Sequence, residues 1–437
     1  MLKPLRYKTW EVRQIADEEV KLIAAQKRIF PPLAALYHRD YRLYWTGQLV
    51  SVTGTWMQQV AQAWLVLELT HSALLLGIVG AANFGPVLLF SLFGGALADR
   101  VSKRRLIIFT QTGMMLIALV LGLLVLTGLV RYWEVVVCAF LLGTLNALDS
   151  PARQSFIIHL AGREDLMNAI ALHSSLFNGA RVVGPAVAGL VIARWGIAVC
   201  FLLNAVSFVA VLVQLVRISA DGTTERKQPQ NSFWQETRAG FAYIRANPRI
   251  FFPLILLAQI SLLAVNFSVL IPALARLTFG RGAQDFGFLL SAQGLGAMAG
   301  GLTLAWLSAR GPERRCLAAG VIALCGAQVV LGCWPGYRQA LWLLFIAGWG
   351  LVVLGGTINT TVQLAATDEF RGRVMSLFVL FFMGTSPLGN LFAGAVAHAF
   401  NIPVAFAAGS AIALILAVFT GLWWRRTEKR TQLLSFS

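Results

Sequence analysis

GGALADRVSKRRLI, Gly94 to Ile107, is the stretch on which the reading of this chain turns. It follows an apolar run from Leu74 to Phe93, broken by little more than Asn83, Pro86 and Ser91, and it packs Asp99, Arg100, Lys103, Arg104 and Arg105 into seven residues. A charge at the centre of a bilayer costs about 3 kcal/mol or more. A cluster this dense, set hard against such a run, therefore marks the place where a membrane-crossing helix ends and a loop begins.

Composition extends that reading to the whole chain. Of 437 residues, 57% are hydrophobic and 13% charged, too little polar surface for a water-soluble protein of this length. A span needs about 20 mostly apolar residues. That rule places spans near 42–68, 74–98, 105–129, 133–148, 168–193, 197–216, 251–275, 286–308, 316–334, 339–361, 374–399 and 402–424, twelve in all. Of the 36 lysines and arginines, only Arg131, Arg194, Arg276, Arg281 and Arg338 fall in loops on one side, and Arg181 lies inside a span. All the others fall on the opposite side, which by the positive-inside rule is cytoplasmic and holds both termini. A single missed span would scramble this asymmetry.

The net charge of +17 does not indicate nucleic-acid binding, because the cations sit in short loops between apolar runs. Cys138, Cys200, Cys316, Cys325 and Cys333 form no CxxC pair and read as small apolar residues, so no metal and no cofactor is expected. The first forty residues are polar and show no cleavable signal; residues 8–28 read as a surface helix. The resulting organisation is an amino-terminal cytoplasmic segment (1–41), a six-helix bundle (42–216), a central cytoplasmic loop (217–250), a second six-helix bundle (251–424) and a cytoplasmic tail (425–437). In the loop, Phe233, Thr237, Phe241 and Ile244 recur at helical spacing beside Arg238 and Arg245, as in an amphipathic helix lying on the cytoplasmic face, with a plain linker helix as the favoured alternative.

The halves echo one another. ARVVGPAVAG (Ala180–Gly189) has a counterpart in GTSPLGNLFAG (Gly384–Gly394), with Pro185 and Pro387 placed 202 positions apart. ADRVSKRR (Ala98–Arg105) is echoed by SARGPERR (Ser308–Arg315), 210 positions on. A period near half the chain predicts duplicated bundles with a substrate site at their interface near mid-membrane.

GALADRVSKRR resembles the loop motif of the major facilitator superfamily, a glycine, a hydrophobic residue, Asp-Arg, then cations. SVTGTWMQQVAQAWLVLELT, NAIALHSSLFNGARVVGPAVAG, CFLLNAVSF, GFAYIRANP and RGRVMSLFVLFFMGTSPLG resemble one subgroup, the transmembrane secretion effectors, which include an enterobactin exporter. The resemblance implies an all-α polytopic fold of twelve helices in two pseudo-symmetric bundles, in a bacterial inner membrane. It also implies a drug:proton antiporter type of mechanism. By the same resemblance Gly95, Asp99, Arg100, Lys103, Arg104 and Arg105 form a charge lock against the start of span eleven, and Gly184, Pro185, Gly189 and Pro387 form hinges. Three departures stand out: Ser102 replaces the motif's second glycine, Ala309 replaces the acid in the second copy, and span four, CAFLLGTLNAL, has no cation.

None of the nineteen acids lies mid-span, whereas Arg181 does, fourteen residues or about 21 Å along a helix from Met167. Asn178 shares its face, and Gln58 and Gln62 lie at a similar depth in span one, which the resemblance makes a neighbour of span five. These four residues are the candidate substrate site, either cationic and hydrogen-bonding toward an acidic or oxygen-rich molecule, or a structural arrangement in which Arg181 bonds backbone carbonyls. For proton coupling the candidates are Asp149 and Arg153 of DSPAR, placed at the cytoplasmic mouth, and His173. The expected partners are a small molecule such as a siderophore or drug, protons and membrane lipid, with a monomeric protein.

Two other transport-free readings are weaker. A membrane enzyme needs a nucleophile with its base, a metal cluster or an acyltransfer motif, and His159 is followed by Glu164 without a partner histidine; no Walker loop is present. A sensor or scaffold on the same fold is conceivable because fold alone does not define function. Among transporters, a lysophospholipid carrier is the alternative to an exporter of metabolites.

Overall fold

The computed structural model describes the backbone of residues 31–222, 233–307, 311 and 314–435; within these, the side chains of 31, 91–93, 96, 98, 99, 233–237 and 428–435 are outside the description. The described residues are helical with short turns and contain no strand. Six helices make the first half: α1 Arg39–Thr70, α2 Ala73–Arg100, α3 Lys103–Leu126, α4 Tyr132–Ala161, α5 Leu166–Trp195 and α6 Ile197–Arg217. After the linker helix α7 (Phe233–Ala246) come α8 Pro248–Leu263, α9 Phe267–Ala273, α10 Ala283–Leu307, α11 Arg314–Cys333, α12 Tyr337–Ala365, α13 Asp368–Met383, α14 Ser386–Ala399 and α15 Ile402–Ser435.

Among the described residues, eleven segments are long and apolar enough to cross a membrane. The twelfth span is α1, 32 residues long and diluted by Gln48, Gln58, Gln59 and Gln62. The bundle partners two of these glutamines: Gln58 Oε1 accepts from Asn204 Nδ2 of α6 at 2.6 Å, and Gln48 Oε1 accepts from Arg153 of α4 at 2.6 Å. A polar group with an internal partner does not bear the full cost of leaving water. Twelve spans, with α8–α9 and α13–α14 counted once each, match the expected number.

Two expected spans are interrupted. Span seven breaks at Ala264–Asn266 between α8 and α9, and span eleven breaks at Gly384–Thr385, with Pro387 in the first turn of α14, where a missing N–H costs nothing. Side chains take up the freed backbone: Ser261 Oγ donates to the Phe382 carbonyl at 2.6 Å, and Gln328 Nε2 to the Ala264 carbonyl at 3.0 Å. Irregular backbone at membrane depth survives only with such partners. The two breaks lie against each other, since a Cβ on Gly389 would stand 2.5 Å from Asn266 Oδ1.

The duplication is visible in the packing. Gly184 of α5 abuts Trp56 of α1, and Gly389 of α14 abuts Leu262 and Asn266 of the corresponding seventh span. Five residues further on, Gly189 meets Ala283 and Gln284 of α10, and Gly394 meets Ala73, Leu74 and Gly77 of α2. Each pair is 205 positions apart in sequence. The halves thus join through α5 against α10 and α2 against α14.

These junctions run from mid-molecule to the face away from the termini. There, Trp64 of α1 stacks on Phe286 of α10 at 5.9 Å, and Arg276 lies 5.2 Å from the same indole ring. Toward the basic face, by contrast, Ala171, Ser174 and Ser175 of α5 are exposed. The two halves are closed on one side and part toward the other.

Among the described residues, the segments flanking the two bundles join them. A 3-10 turn, Pro31–Tyr37, leads into α1, and the Ala35 N–H donates to Asn168 at 2.9 Å while His38 meets Asp165 at 2.7 Å. Phe241 packs edge-on to Phe381 at 6.2 Å, and Tyr243 stacks on Phe370 at 4.3 Å, so α7 docks on α13. At the carboxyl end α15 continues unbroken through the expected tail to Ser435.

Candidate functional site

Arg181 sits at the middle of the 30-residue helix α5. At 100° per residue it lies about 180° around the helix from the exposed Leu190 and about 160° from the exposed Val183, on the side that carries Asn178 and the exposed Ser174. Among the described residues its guanidinium has neither a hydrogen bond nor an ion pair. Its backbone carbonyl is the one left without an intrahelical donor by Pro185, and that carbonyl faces Gly294 of α10, where a Cβ would stand 3.1 Å away. One turn below, Ser291 Oγ donates to the Val182 carbonyl at 2.7 Å. Pro185 and Gly294 thus bring the halves together at the level of the cation.

Asn178 is partly exposed and donates to the Ser174 carbonyl at 2.9 Å, leaving its side-chain oxygen available beside Arg181. Gln58 is not part of this group. It lies four residues from Gly54, on the face that packs against α6, and Asn204 holds it there. Gln62, a turn on, is buried as well. The glutamine of span one that is exposed is Gln59, on a different face of α1. A run of three glutamines in five positions cannot be assigned a face without knowing where α6 lies.

A second polar group lies nearer the basic face, and here the structure changes the sequence reading. DSPAR is not a loop at the mouth of the protein. Helix α4 continues through it to Ala161, with Pro151 inside, so span four does carry a cation, Arg153. Asp149 is 1% exposed and accepts from Thr110 Oγ1 at 2.6 Å, from Gln111 Nε2 at 3.2 Å and from Arg153 Nε. Arg153 Nη1 reaches across to Gln48. Tyr44 packs against Phe156 on one side and His173 on the other, with ring centroids 6.2 and 6.5 Å apart. Asp149, Arg153 and His173 are brought into one cluster, and Gln48, Thr110, Gln111 and Tyr44 join them. The signal for these four was weak: polar residues interrupting apolar spans. Gln48 Nε2 and Gln111 Oε1 have no partner among the described residues, so the cluster keeps an open donor and an open acceptor.

The loop motif is divided between several tasks. Lys103, 1% exposed, donates from Nζ to the Gly222 carbonyl at 2.8 Å, and Arg104 donates to the carbonyls of Leu215 and Val216, both at 2.7 Å. These two cations hold the chain at and just beyond the carboxyl end of α6, where the helix dipole favours positive charge. Ser102, in place of a glycine, caps α3 by accepting from the Arg105 N–H and donates to Asp221 at 2.8 Å. Arg100 and Arg105 are exposed, and the Asp99 side chain lies outside the described residues, as does the second copy of the motif at 308–310 and 312–313. A Cβ on Gly95 would meet nothing, whereas Gly94 packs directly on the Ala147 carbonyl.

The comparisons agree with this architecture. The transmembrane secretion effector family matches residues 30–434, so the chain belongs to that family. A staphyloferrin A transporter of Staphylococcus aureus is 31% identical over 176 residues, 40% of this chain and 44% of its own length. The multidrug efflux pump Tap of Mycolicibacterium fortuitum is 28% identical over 85% of this chain and 92% of its own, and the enterobactin exporter EntS of Shigella boydii is 25% identical over 87% and 90%. Among solved structures, a bacterial homologue of the lysosomal transporter Spinster, inward-facing and unoccupied, superposes with a TM-score of 0.69 at 14% identity, covering 88% of this chain and 96% of its own. The fold is that of the major facilitator superfamily.

Proposed function

We propose that this protein is a secondary exporter of a bacterial inner membrane, with both termini cytoplasmic, working by alternating access and expelling an acidic or oxygen-rich amphiphile in exchange for protons. The observation that carries the proposal is the position of Arg181: mid-membrane, on a helix at the junction of two halves that are closed on the far side and open on the basic side. An unpaired cation at that depth is costly unless a ligand or water meets it. With no acid among the described residues at its level, it favours an anionic substrate group, and the apolar spans around it suit the remainder of an amphiphile. Siderophore and drug exporters among the relatives support that substrate class. In this reading the basic face is cytoplasmic and the conformation is inward-facing.

The Asp149–Arg153 cluster is the proposed coupling element. Protonation of Asp149 removes the charge that holds Arg153 Nε, and Gln48 on α1 is tied to the same guanidinium. The proton is thereby converted into a change in how α1 and α4 are held. Arg100 and Asp99 remain the proposed cytoplasmic latch, to engage span eleven when that side closes. Transport by purified protein in liposomes with an imposed pH gradient tests the proposal: gradient-driven movement of a siderophore supports it, and no movement of any siderophore or drug with or without the gradient refutes it.

A further inference from the structure

On the outer flank of the second half, at the level of the basic face, α8, α11 and α15 leave a groove of about 320 Å³ that plays no part in the central pathway. Its walls are apolar, with Leu256 from α8, Val321 from α11 and Val418 from α15, and two cations stand in its lining, Arg314 and Arg425, from different helices. The base is Trp424, 9% exposed, whose ring stacks on Phe252 at 6.0 Å and 14° and carries the Arg314 guanidinium 4.5 Å above its centre. Its indole N–H is buried without a hydrogen-bond acceptor among the described residues. A cation fixed over an aromatic ring, a second cation across the groove and an unsatisfied donor between apolar walls suit an anionic group carrying a hydrocarbon tail.

We infer that this groove binds an anionic phospholipid, its phosphodiester oxygens facing Arg314, Arg425 and the Trp424 N–H, and one acyl chain lying along Leu256, Val321 and Val418. Tryptophan and basic residues gather at the headgroup level of a bilayer, and basic pockets between spans on the positive side select anionic headgroups. A zwitterionic lipid would bring its own ammonium against two guanidinium groups, so the groove discriminates by charge as well as by shape. The inference does not depend on the identity of the exported substrate.

The test is native mass spectrometry of the full-length protein in detergent, titrated with dioleoyl phosphatidylglycerol or dioleoyl phosphatidylcholine, which share acyl chains and differ in headgroup charge. The wild type is expected to retain phosphatidylglycerol in preference to phosphatidylcholine. Arg425→Gln, at an exposed position and so compatible with folding, lowers phosphatidylglycerol retention about five-fold, the effect of one headgroup-level cation, and Arg425→Lys restores most of it. Arg314→Gln/Arg425→Gln removes the preference. Arg163→Gln, an exposed cation in the turn between α4 and α5, leaves retention unchanged. Equal retention of the two lipids by the wild type, no change in Arg425→Gln, or an equal loss in Arg163→Gln overturns the inference.

Discussion

Gly94 of α2 faces the carbonyl of Ala147 in α4, the same carbonyl that Pro151 leaves without its intrahelical donor. The loop motif with which the chain announces its fold therefore begins as a packing device. A helix that would otherwise be weakened by an internal proline is covered at the weak point by a glycine from its neighbour. The prediction is a contrast between adjacent residues. Gly94→Val forces α2 and α4 apart and costs about 1–3 kcal/mol, as overpacking does, seen as a lowered melting temperature in detergent; Gly95→Ala, whose Cβ meets open space, leaves the melting temperature unchanged.

Asp149 is ringed by Thr110, Gln111 and Arg153. Asp149→Asn keeps the shape and the acceptor for Thr110 but removes the charge, so the protein is expected to insert and bind substrate while losing dependence on the pH gradient. Arg153→Ala is harsher, because it leaves a buried carboxylate unpaired, which costs about 3–5 kcal/mol. Substrate counterflow at equal pH, measured beside gradient-driven transport, separates the two effects. Gradient-driven accumulation by Asp149→Asn at the wild-type level would remove Asp149 from coupling.

Closure on the far side depends on small residues that receive the opposing half. Gly80 faces Asn390 Nδ2, with a Cβ there only 2.8 Å away. Gly80→Val is expected to wedge α2 from α14 and shift the population toward a state open on the far side. Spin labels at the exposed positions Leu69 and Gly282 read this directly, with longer distances in the variant; an unchanged distance distribution argues that the α2–α14 junction does not gate that side.

Much of this architecture follows from pattern. Apolar runs of bilayer length, cations sorted to one side and a repeat near half the chain define twelve spans in two halves without reference to coordinates, and Pro185, Gly184 and Gly189 fall at a junction between helices as transport-helix residues should. What pattern misses is direction. DSPAR has the composition of a turn, yet α4 runs through it, because the cost of Pro151 is met by packing from α2 and by a salt bridge one helical turn away. The buried Lys103 looks like any loop lysine until the carboxyl end of α6 is placed beside it. Gln58 and Gln59 are adjacent and chemically identical; only the position of Asn204 assigns one to the bundle interior.

The central claim is that Arg181 anchors an acidic cargo during proton-driven export. Its most direct test is accumulation of a polycarboxylate siderophore into proteoliposomes whose lumen is more acidic than the bath, comparing wild type, Arg181→Lys and Arg181→Ala, with a lipophilic cationic dye as the control cargo. Inverted molecules, which present the basic face to the bath, perform the transport. The account predicts accumulation by the wild type that collapses with a protonophore, partial activity in Arg181→Lys, and a loss of ten-fold or more in Arg181→Ala for the acid but not for the dye, since a charge-assisted contact contributes about 1.5–3 kcal/mol. Arg181→Ala protein that accumulates the polycarboxylate siderophore as well as the wild type would contradict it.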